Sequence, residues 1–433
     1  MTAVDRIERA YREDAARILG AVARTTGDLQ LAEDAVQEAF ARAVGEAARG
    51  RAPANPAAWI TTVARRVAVD ARRRERADTR IAPMLAAQLA IAEKAAADDA
   101  ADGGEMLSGS VFTGDERLEL ILLVAHPELA QEARVALALR HVCGVPTARI
   151  AEAFLVAEPT MAARLTRAKK RIHDSGIRFS LDDTASVAAR MPDAFTTVYL
   201  LYTAGHAAAD DGLRRDAIAL ARDAHRVARR SESAGLLALL LLTEARQATR
   251  LTSDDEFATL READRSRWDV ALLTEGERLA TEALTNVGAG GDGRYALQAG
   301  IAGLHAVAPS WEATDWPAIV RLYDGLIRVW PSAAARLGRL VALGHSPDAG
   351  PEVALAGLDA DPALLDGPLA PRAHAARAEL LRLAGATGEA AVELARAIAA
   401  TRDDRTRRSL QRLLDAAAPE GRLDTPRTPR DGR

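Results

Sequence analysis

The stretch that decides the fold is AQEARVALALRHVCGVPTARIAEAFLVAEPTMAARLTRAKKRI, residues 130–172. Its apolar residues recur at helical spacing, and glycine or proline stands where the pattern breaks. Gly144 permits the first break, and Pro146 and Pro159 are tolerated in the first turns of the helices that they open. A helix, a short helix, a three-residue turn (155–157) and a long helix follow one another, which is the spacing of a helix-turn-helix unit.

The last helix of this unit is strongly basic. Between Arg164 and Arg178 the sequence holds six basic residues and one Asp, a net charge of +5. Such a helix in the second position of a helix-turn-helix favours DNA binding over an ordinary three-helix bundle with a solvated basic face. We therefore expect its N-terminal end to read bases and the rest of the helix to contact phosphate.

Two neighbouring segments nearer the start of the chain carry opposite charges. Residues 28–46 hold five acids and one Arg, net −4, and leave Glu33, Asp34, Gln37 and Glu38 towards solvent or a partner. For an acidic run alone, a solvated helix face is the ordinary explanation. Residues 65–80 hold seven Arg and three acids, net +4, and a dense Arg face suits phosphate contact. An acidic helix beside a basic one is rarer than either alone.

These segments resemble a known family. LAEDAVQEAFARA (31–43) and NPAAWITTVARRVAVDARRRERA (55–77) resemble region 2 of the extracytoplasmic-function sigma factors of the sigma-70 family, and residues 130–172 resemble their region 4. With HPELA, LYTAGH, DRSRWD and TDW, the whole chain is similar to the subgroup that has a long tetratricopeptide-like C-terminal extension. The resemblance implies a sigma factor that binds core RNA polymerase and directs promoter-specific transcription initiation.

The resemblance also implies roles for individual residues. Four residues correspond to those that dock on core RNA polymerase: Asp34, Gln37, Glu38 and Phe40. Six correspond to those that engage and open the −10 element of promoter DNA: Trp59, Arg65, Arg66, Arg72, Arg73 and Arg76. Five correspond to those that read the −35 element: Thr160, Arg164, Arg167, Lys169 and Lys170. The chain departs from the family at Ala157, where a Ser usually caps the recognition helix.

Helical spacing recurs from end to end, and alternating β-branched runs are nearly absent, so we expect an all-α protein. In the C-terminal part, AHAARAELLRLAGATGEAAVELARAIAAT (373–401) predicts two antiparallel helices joined at Gly385, the design of tetratricopeptide-type repeats. The predicted domains are sigma region 2 (1–76), a flexible acidic linker (77–116), sigma region 4 (117–178), a tetratricopeptide-like regulatory extension (185–416) and a disordered tail (417–433).

No catalytic or metal-binding constellation is evident. The eight His are scattered with no H-E-x-x-H motif, and Cys143 is the single Cys, so we expect neither an enzyme, a cofactor nor a metal site. The glycines of 287–294 follow a helical segment, which indicates a loop rather than a phosphate-binding turn. The motif 264–269, DRSRWD, is interpreted as an Arg–Asp and Trp anchor between helices or as a contact to the sigma regions.

The start of the chain is charged and lacks the apolar stretch of a signal peptide, so a cytoplasmic protein with no membrane partner is expected. The expected partners are core RNA polymerase, promoter DNA and a protein or peptide bound by the C-terminal helices. Two alternatives remain: a helix-turn-helix transcriptional regulator with a ligand- or protein-binding helical domain, and a tetratricopeptide-like adaptor or enzyme. The net charge of −4 for all 433 residues distinguishes none of these, because oppositely charged segments cancel.

Overall fold

The computed structural model describes residues 3–26, 29–87, 116–175, 181, 184–252, 256–287 and 293–417. Over these residues the prediction of an all-α protein is confirmed, and the β-type pairing they contain is an isolated bridge between Leu251 and Phe257. The chain divides into two compact units after Ala228.

The first unit contains nine described α-helices. They are α1 (Ala3–Thr26), α2 (Leu29–Ala48), α3 (Pro56–Ala87), α4 (Glu116–Val124), α5 (Gln131–Leu137), α6 (Thr147–Ala153), α7 (Glu158–Ser175), α8 (Thr184–Ala208) and α9 (Asp211–Val227). A π-helical turn, Ala138–Val142, continues α5.

Helices α1, α2 and α3 form a three-helix bundle in which each packs against the other two. Alanines on α2 and α3 are fully buried, and their small side chains let the helix backbones approach closely. The third helix continues to Ala87, beyond the predicted end of region 2 at residue 76. Most of the predicted acidic linker, 88–115, lies outside the described residues, as does the predicted disordered tail from 418 onward.

The predicted helix-turn-helix is confirmed. Gly144 takes a left-handed φ of +69°, which ends the first helix at the expected break. Leu155 takes a φ of 55° in the turn between α6 and α7. On α7 the residues Met161, Leu165, Ala168 and Ile172 are buried, and their spacings of four, three and four draw one apolar stripe against the unit.

The boundary after region 4 differs from the predicted one. Helices α8 and α9 belong to the first unit, and α8 packs against α4, α5 and α6. Met191 and Phe195 of α8 are buried, and Asp193 Oδ2 lies 3.1 Å from Arg134 Nε of α5. Burial raises the pKa of Asp193, and the neighbouring Arg134 opposes that rise. The sequence assigned residues from 185 onward to the extension, because helical spacing alone carries no information on which neighbours a helix packs against.

The second unit contains ten described α-helices. They are α10 (Ser231–Glu244), α11 (Val270–Thr285), α12 (Arg294–Val307), α13 (Trp316–Val329), α14 (Ala333–His345), α15 (Pro351–Asp359), α16 (Ala363–Asp366), α17 (Ala370–Leu383), α18 (Thr387–Ala400) and α19 (Asp404–Ala417). Most pack against the next helix along the chain, which is the neighbour-to-neighbour pattern of helical repeats. The predicted pair is α17 and α18, with Gly385 at a φ of +82° between them.

The motif 264–269 is an anchor within the second unit. Trp268 is buried, and its indole Nε1 donates to Thr249 Oγ1 at 2.9 Å. The Arg265 guanidinium donates to the carbonyl oxygens of His305 at 2.7 Å and Ala308 at 2.8 Å, at the end of α12. The motif, which contains the 3-10 turn Arg265–Arg267, is thus fastened to neighbouring elements by buried and partly buried hydrogen bonds. Of the two sequence interpretations, the structure supports the anchor between helices.

Candidate interface for DNA and RNA polymerase

One side of α7 carries most of the predicted −35 residues. Thr160 and Arg167 are exposed, Arg164 is partly exposed, and spacings of four and three place them along one stripe, about a quarter of a turn around the helix from the buried stripe. The Arg164 guanidinium lies over the Phe154 ring, 5.8 Å from its centroid, and Arg167 Nε donates to the Ala163 carbonyl at 3.3 Å. These contacts hold two basic side chains on the stripe beside the buried face of α7.

Lys169 does not share that surface. It lies nine residues beyond Thr160, which at about 100° per residue is about half a turn away around the helix. Its Nζ donates instead to Glu33 Oε2 of α2 at 2.8 Å. Lys170, by contrast, is exposed to solvent. The structure therefore brings Thr160, Arg164 and Arg167 together and separates Lys169 from them.

Glu33 joins the two sigma-like regions of the first unit. Its second oxygen, Oε1, lies 3.2 Å from Nδ1 of His141, and the Glu33 side chain is 20% exposed. Burial alone would raise the pKa of Glu33, but hydrogen bonds with His141 and Lys169 and their charges lower it from the ordinary 4.5 to about 2. The carboxylate is thus ionised at neutral pH and holds α2 against α5–α7. We call Glu33, His141 and Lys169 the Glu33 clasp.

A second contact between the same two regions lies on α1. Gly20 faces Leu120 of α4 so closely that a Cβ at position 20 would stand 2.4 Å from Leu120 Cδ1. A larger residue at position 20 would therefore push α4 away from the bundle. This apolar contact and the Glu33 clasp hold α1–α3 against α4–α7 from two places.

The predicted polymerase-docking residues of α2 fall into two environments. Asp34, Gln37 and Glu38 are exposed on the side of α2 that faces away from the bundle, and Glu38 Oε1 accepts from Arg42 Nε at 2.8 Å. Phe40 is only 7% exposed, and its ring meets Tyr11 edge to face with centroids 5.1 Å apart. The three polar residues form the acidic face of α2, and Phe40 supports that helix from the bundle side.

The predicted −10 residues lie along α3. The Asn55 side chain caps this helix, because its Oδ1 accepts from Ala58 N at 3.2 Å, and Trp59 follows in the first turn, half-buried. Arg65 and Arg66 are exposed, beside the buried Ala64. The backbone of Arg72, Arg73 and Arg76 continues the same helix, and their side chains lie outside the described residues.

Sequence reasoning placed Glu33 towards solvent or a partner and did not single out His141. No spacing rule joins residues 108 positions apart, so the clasp had no signal in the sequence.

Among the described residues, no three His, Cys, Asp or Glu side chains gather where they could hold a metal ion. Within the same residues, no helix combines the length and the apolar character needed to cross a membrane.

Three family models match the chain in consecutive order. Sigma-70 region 2 matches residues 10–77, and Sigma-70, region 4 matches residues 119–172. A "Family of unknown function (DUF6596)" matches residues 190–284, from α8 into α11. An uncharacterized protein of Rhizobium meliloti (strain 1021) is 34% identical over 431 residues, which cover 97% of this chain and 98% of that protein. The chain belongs to the sigma-70 family.

It is an extracytoplasmic-function-like sigma factor with a helical C-terminal extension, as the resemblance implied. Its two sigma regions give it a sigma-factor-like role in transcription initiation, with a helix-turn-helix for DNA binding. Sigma-70 family members are initiation factors rather than enzymes. No solved structure matches the chain.

Proposed function

We propose that this sigma factor works in the cytoplasm, where it binds core RNA polymerase through the acidic face of α2 and carries the polymerase to a subset of promoters. In this proposal α3 engages and opens the −10 element, and the exposed side of α7 reads the −35 element in the major groove. One observation supports it above all: exposed acidic side chains predominate on α2 and exposed basic ones on α3 and α7, and each helix also has a buried apolar side.

The acidic face can be tested by removing its charge. We expect Asp34→Ala with Glu38→Ala to weaken binding to purified core polymerase by about fivefold or more, equivalent to about 1 kcal/mol. Both side chains are exposed, so the fold should persist, which circular dichroism can verify. A matched control is Asp348→Ala with Glu352→Ala, an equally exposed acidic pair at the same spacing in the second unit. Equal affinity of both double variants would contradict the proposal.

The exposed side of α7 can be tested in the same way. In the holoenzyme, Arg164→Ala is expected to reduce discrimination between promoter and non-promoter DNA by roughly 1–3 kcal/mol if it contacts a base edge. Arg149→Ala on α6 is a matched control, because Arg149 is exposed but pairs with Glu152 at 3.0 Å. Promoter discrimination that is unchanged in Arg164→Ala would exclude that residue from base reading.

We further propose that the C-terminal extension regulates the sigma regions, either by masking them or by supporting polymerase contact, and that it does so by binding a protein or peptide. The structure suggests where to cut the chain for a test. Because α8 covers part of region 4, truncation near residue 180 would expose the apolar surface of region 4 that packs against α8, the helix of Met191. Truncation after Ala228 would retain α8 and leave that surface covered. Constitutive transcription by the truncated chain would exclude a required activating role, and inactivity would exclude simple autoinhibition.

A further inference from the structure

The second unit contains a cavity of about 400 Å³ that the transcription role does not use. Residues of α12, α13, α14 and α17 line it, together with the segment between α12 and α13. Binding sites for small molecules commonly have volumes of about 300–1,000 Å³ and predominantly apolar walls with a few polar groups. This cavity has that size and that character.

Three rings that line the cavity, those of His305, Trp311 and Trp316, meet at one wall, and His345, which does not line the cavity, packs against the two indoles. Trp311 and Trp316 lie edge to face with centroids 4.7 Å apart, and His345 stacks on Trp316 at 4.6 Å with an interplanar angle of 25°. His305 stacks on Trp311 at 6.1 Å with an interplanar angle of 12°. Tyr323 joins the lining from α13. The aromatic and apolar character of this wall suits a planar aromatic guest.

Burial disfavours the charged form of both imidazoles of this ring cluster, and His305, which lines the cavity, is uncharged at neutral pH. Burial, followed by the charges of Arg246, Arg265 and His345, lowers the pKa of His305 to about 4. Burial also lowers the pKa of His345, although Glu379 opposes the shift. The rings therefore add polarisable surface without adding a positive charge.

The polar groups of the cavity are few. Nδ1 of His305 is buried and has no hydrogen-bond partner among the described residues. Buried polar atoms are normally paired, so an unpaired one beside a cavity points to a missing ligand group. Arg372 of α17 lines the cavity, is exposed, and forms no ion pair within the described part of the chain. No Asp or Glu is among the lining residues, so the charge presented to a guest is positive.

We propose that this cavity binds a small planar aromatic molecule that carries one carboxylate. The ring would lie against the indoles of Trp311 and Trp316, and the carboxylate would pair with the Arg372 guanidinium, whose fork matches two carboxylate oxygens. The positive charge of Arg372 disfavours a cationic guest. This inference concerns ligand binding in the second unit and does not depend on the proposed contacts with polymerase or promoter DNA.

Titration calorimetry on the full chain tests the inference with two probes of the same shape. We expect 2-naphthoate to bind at one site per chain and about tenfold or more tightly than the uncharged naphthalene-2-carboxamide. Arg372→Gln should reduce naphthoate affinity about tenfold and leave the amide unchanged. Arg321→Gln is the matched control, because Arg321 is exposed on the neighbouring α13 but does not line the cavity. It should bind both probes as the unchanged chain does.

A second variant separates ligand binding from folding. Ala376 lines the cavity from α17 and is partly exposed, so Ala376→Phe should fill the cavity without replacing a large core side chain. We expect this variant to melt within about 3 °C of the unchanged chain and to bind neither probe. The inference is overturned by absence of naphthoate binding at millimolar concentration, by equal affinity for the amide, or by full binding to Arg372→Gln or to a folded Ala376→Phe chain.

Discussion

The substitution Glu33→Gln removes the charge that holds the Glu33 clasp together. The carboxylate has its pKa lowered from 4.5 to about 2, and each pKa unit corresponds to about 1.4 kcal/mol of differential stabilisation. The full shift would thus correspond to roughly 3 kcal/mol. Because Glu33 is 20% exposed and the Lys169 side chain 33%, solvent screens part of this energy, and we expect a loss of roughly 2–3 kcal/mol.

Native-state hydrogen exchange measures this loss of stability at the helices that the Glu33 clasp holds together. Separation of α2 from α5–α7 breaks the contacts of Glu33 with both His141 and Lys169, so the amides of α5–α7 that exchange through this opening should exchange about 30- to 150-fold faster in Glu33→Gln at pH 7. Glu38→Gln on the same helix is the control, because Glu38 and Arg42 are both about half-exposed and their pair contributes roughly 0.5 kcal/mol. That variant should change exchange of α7 by less than about threefold.

The pH dependence follows from the direction of the pKa shift. A carboxyl group whose pKa is lowered on folding stabilises the fold above its unfolded pKa and loses that contribution as the pH falls through its folded pKa. The difference in stability between the unchanged chain and Glu33→Gln should therefore have its full size above about pH 5 and shrink between about pH 4.5 and pH 2. Equal exchange of Glu33→Gln and Glu38→Gln at pH 7 would refute this account of the clasp.

Two further substitutions test packing in the second unit by thermal unfolding of the full chain. Gly235→Ala should destabilise the fold by about 1–3 kcal/mol or more, because a Cβ at this position would stand 2.4 Å from the backbone nitrogen of Ala296. Gly388→Ala is the control and should change stability little, because no atom lies within 4 Å of its added Cβ. Equal melting temperatures of the two variants would contradict the close approach of α10 and α12. Trp268→Phe should lower the free energy of unfolding by about 1 kcal/mol, because it removes the donor to Thr249. A change near zero would show that this hydrogen bond contributes no net stability.

Local features of the fold could be predicted from the sequence because they depend on neighbouring residues. The helix-turn-helix followed from apolar spacing and from Gly144, whose left-handed backbone conformation favours glycine. The junction at Gly385 followed in the same way. The exposure of Asp34 and Glu38 followed from the helical period, which placed the apolar residues of α2 on the other side.

Long-range pairings could not be predicted, because they depend on how whole helices meet. The sequence contains no register between α2 and α7, so Lys169 was grouped with Thr160 by resemblance, although the two residues lie on different sides of the helix. Phe40 was assigned to the docking set by resemblance, and its burial against Tyr11 emerges only when α1 and α2 pack. The assignment of α8 to the first unit likewise depends on tertiary contacts with α4–α6.

Transcription by purified core RNA polymerase tests the central claim most directly. The template is fragmented genomic DNA from the source organism, and start sites are mapped by sequencing RNA 5′ ends with and without the full chain. The account predicts new, reproducible start sites that share two upstream elements centred near −10 and −35, and their loss with Asp34→Ala and Glu38→Ala. Start sites identical with and without the chain, despite measured binding to duplex DNA, would contradict it.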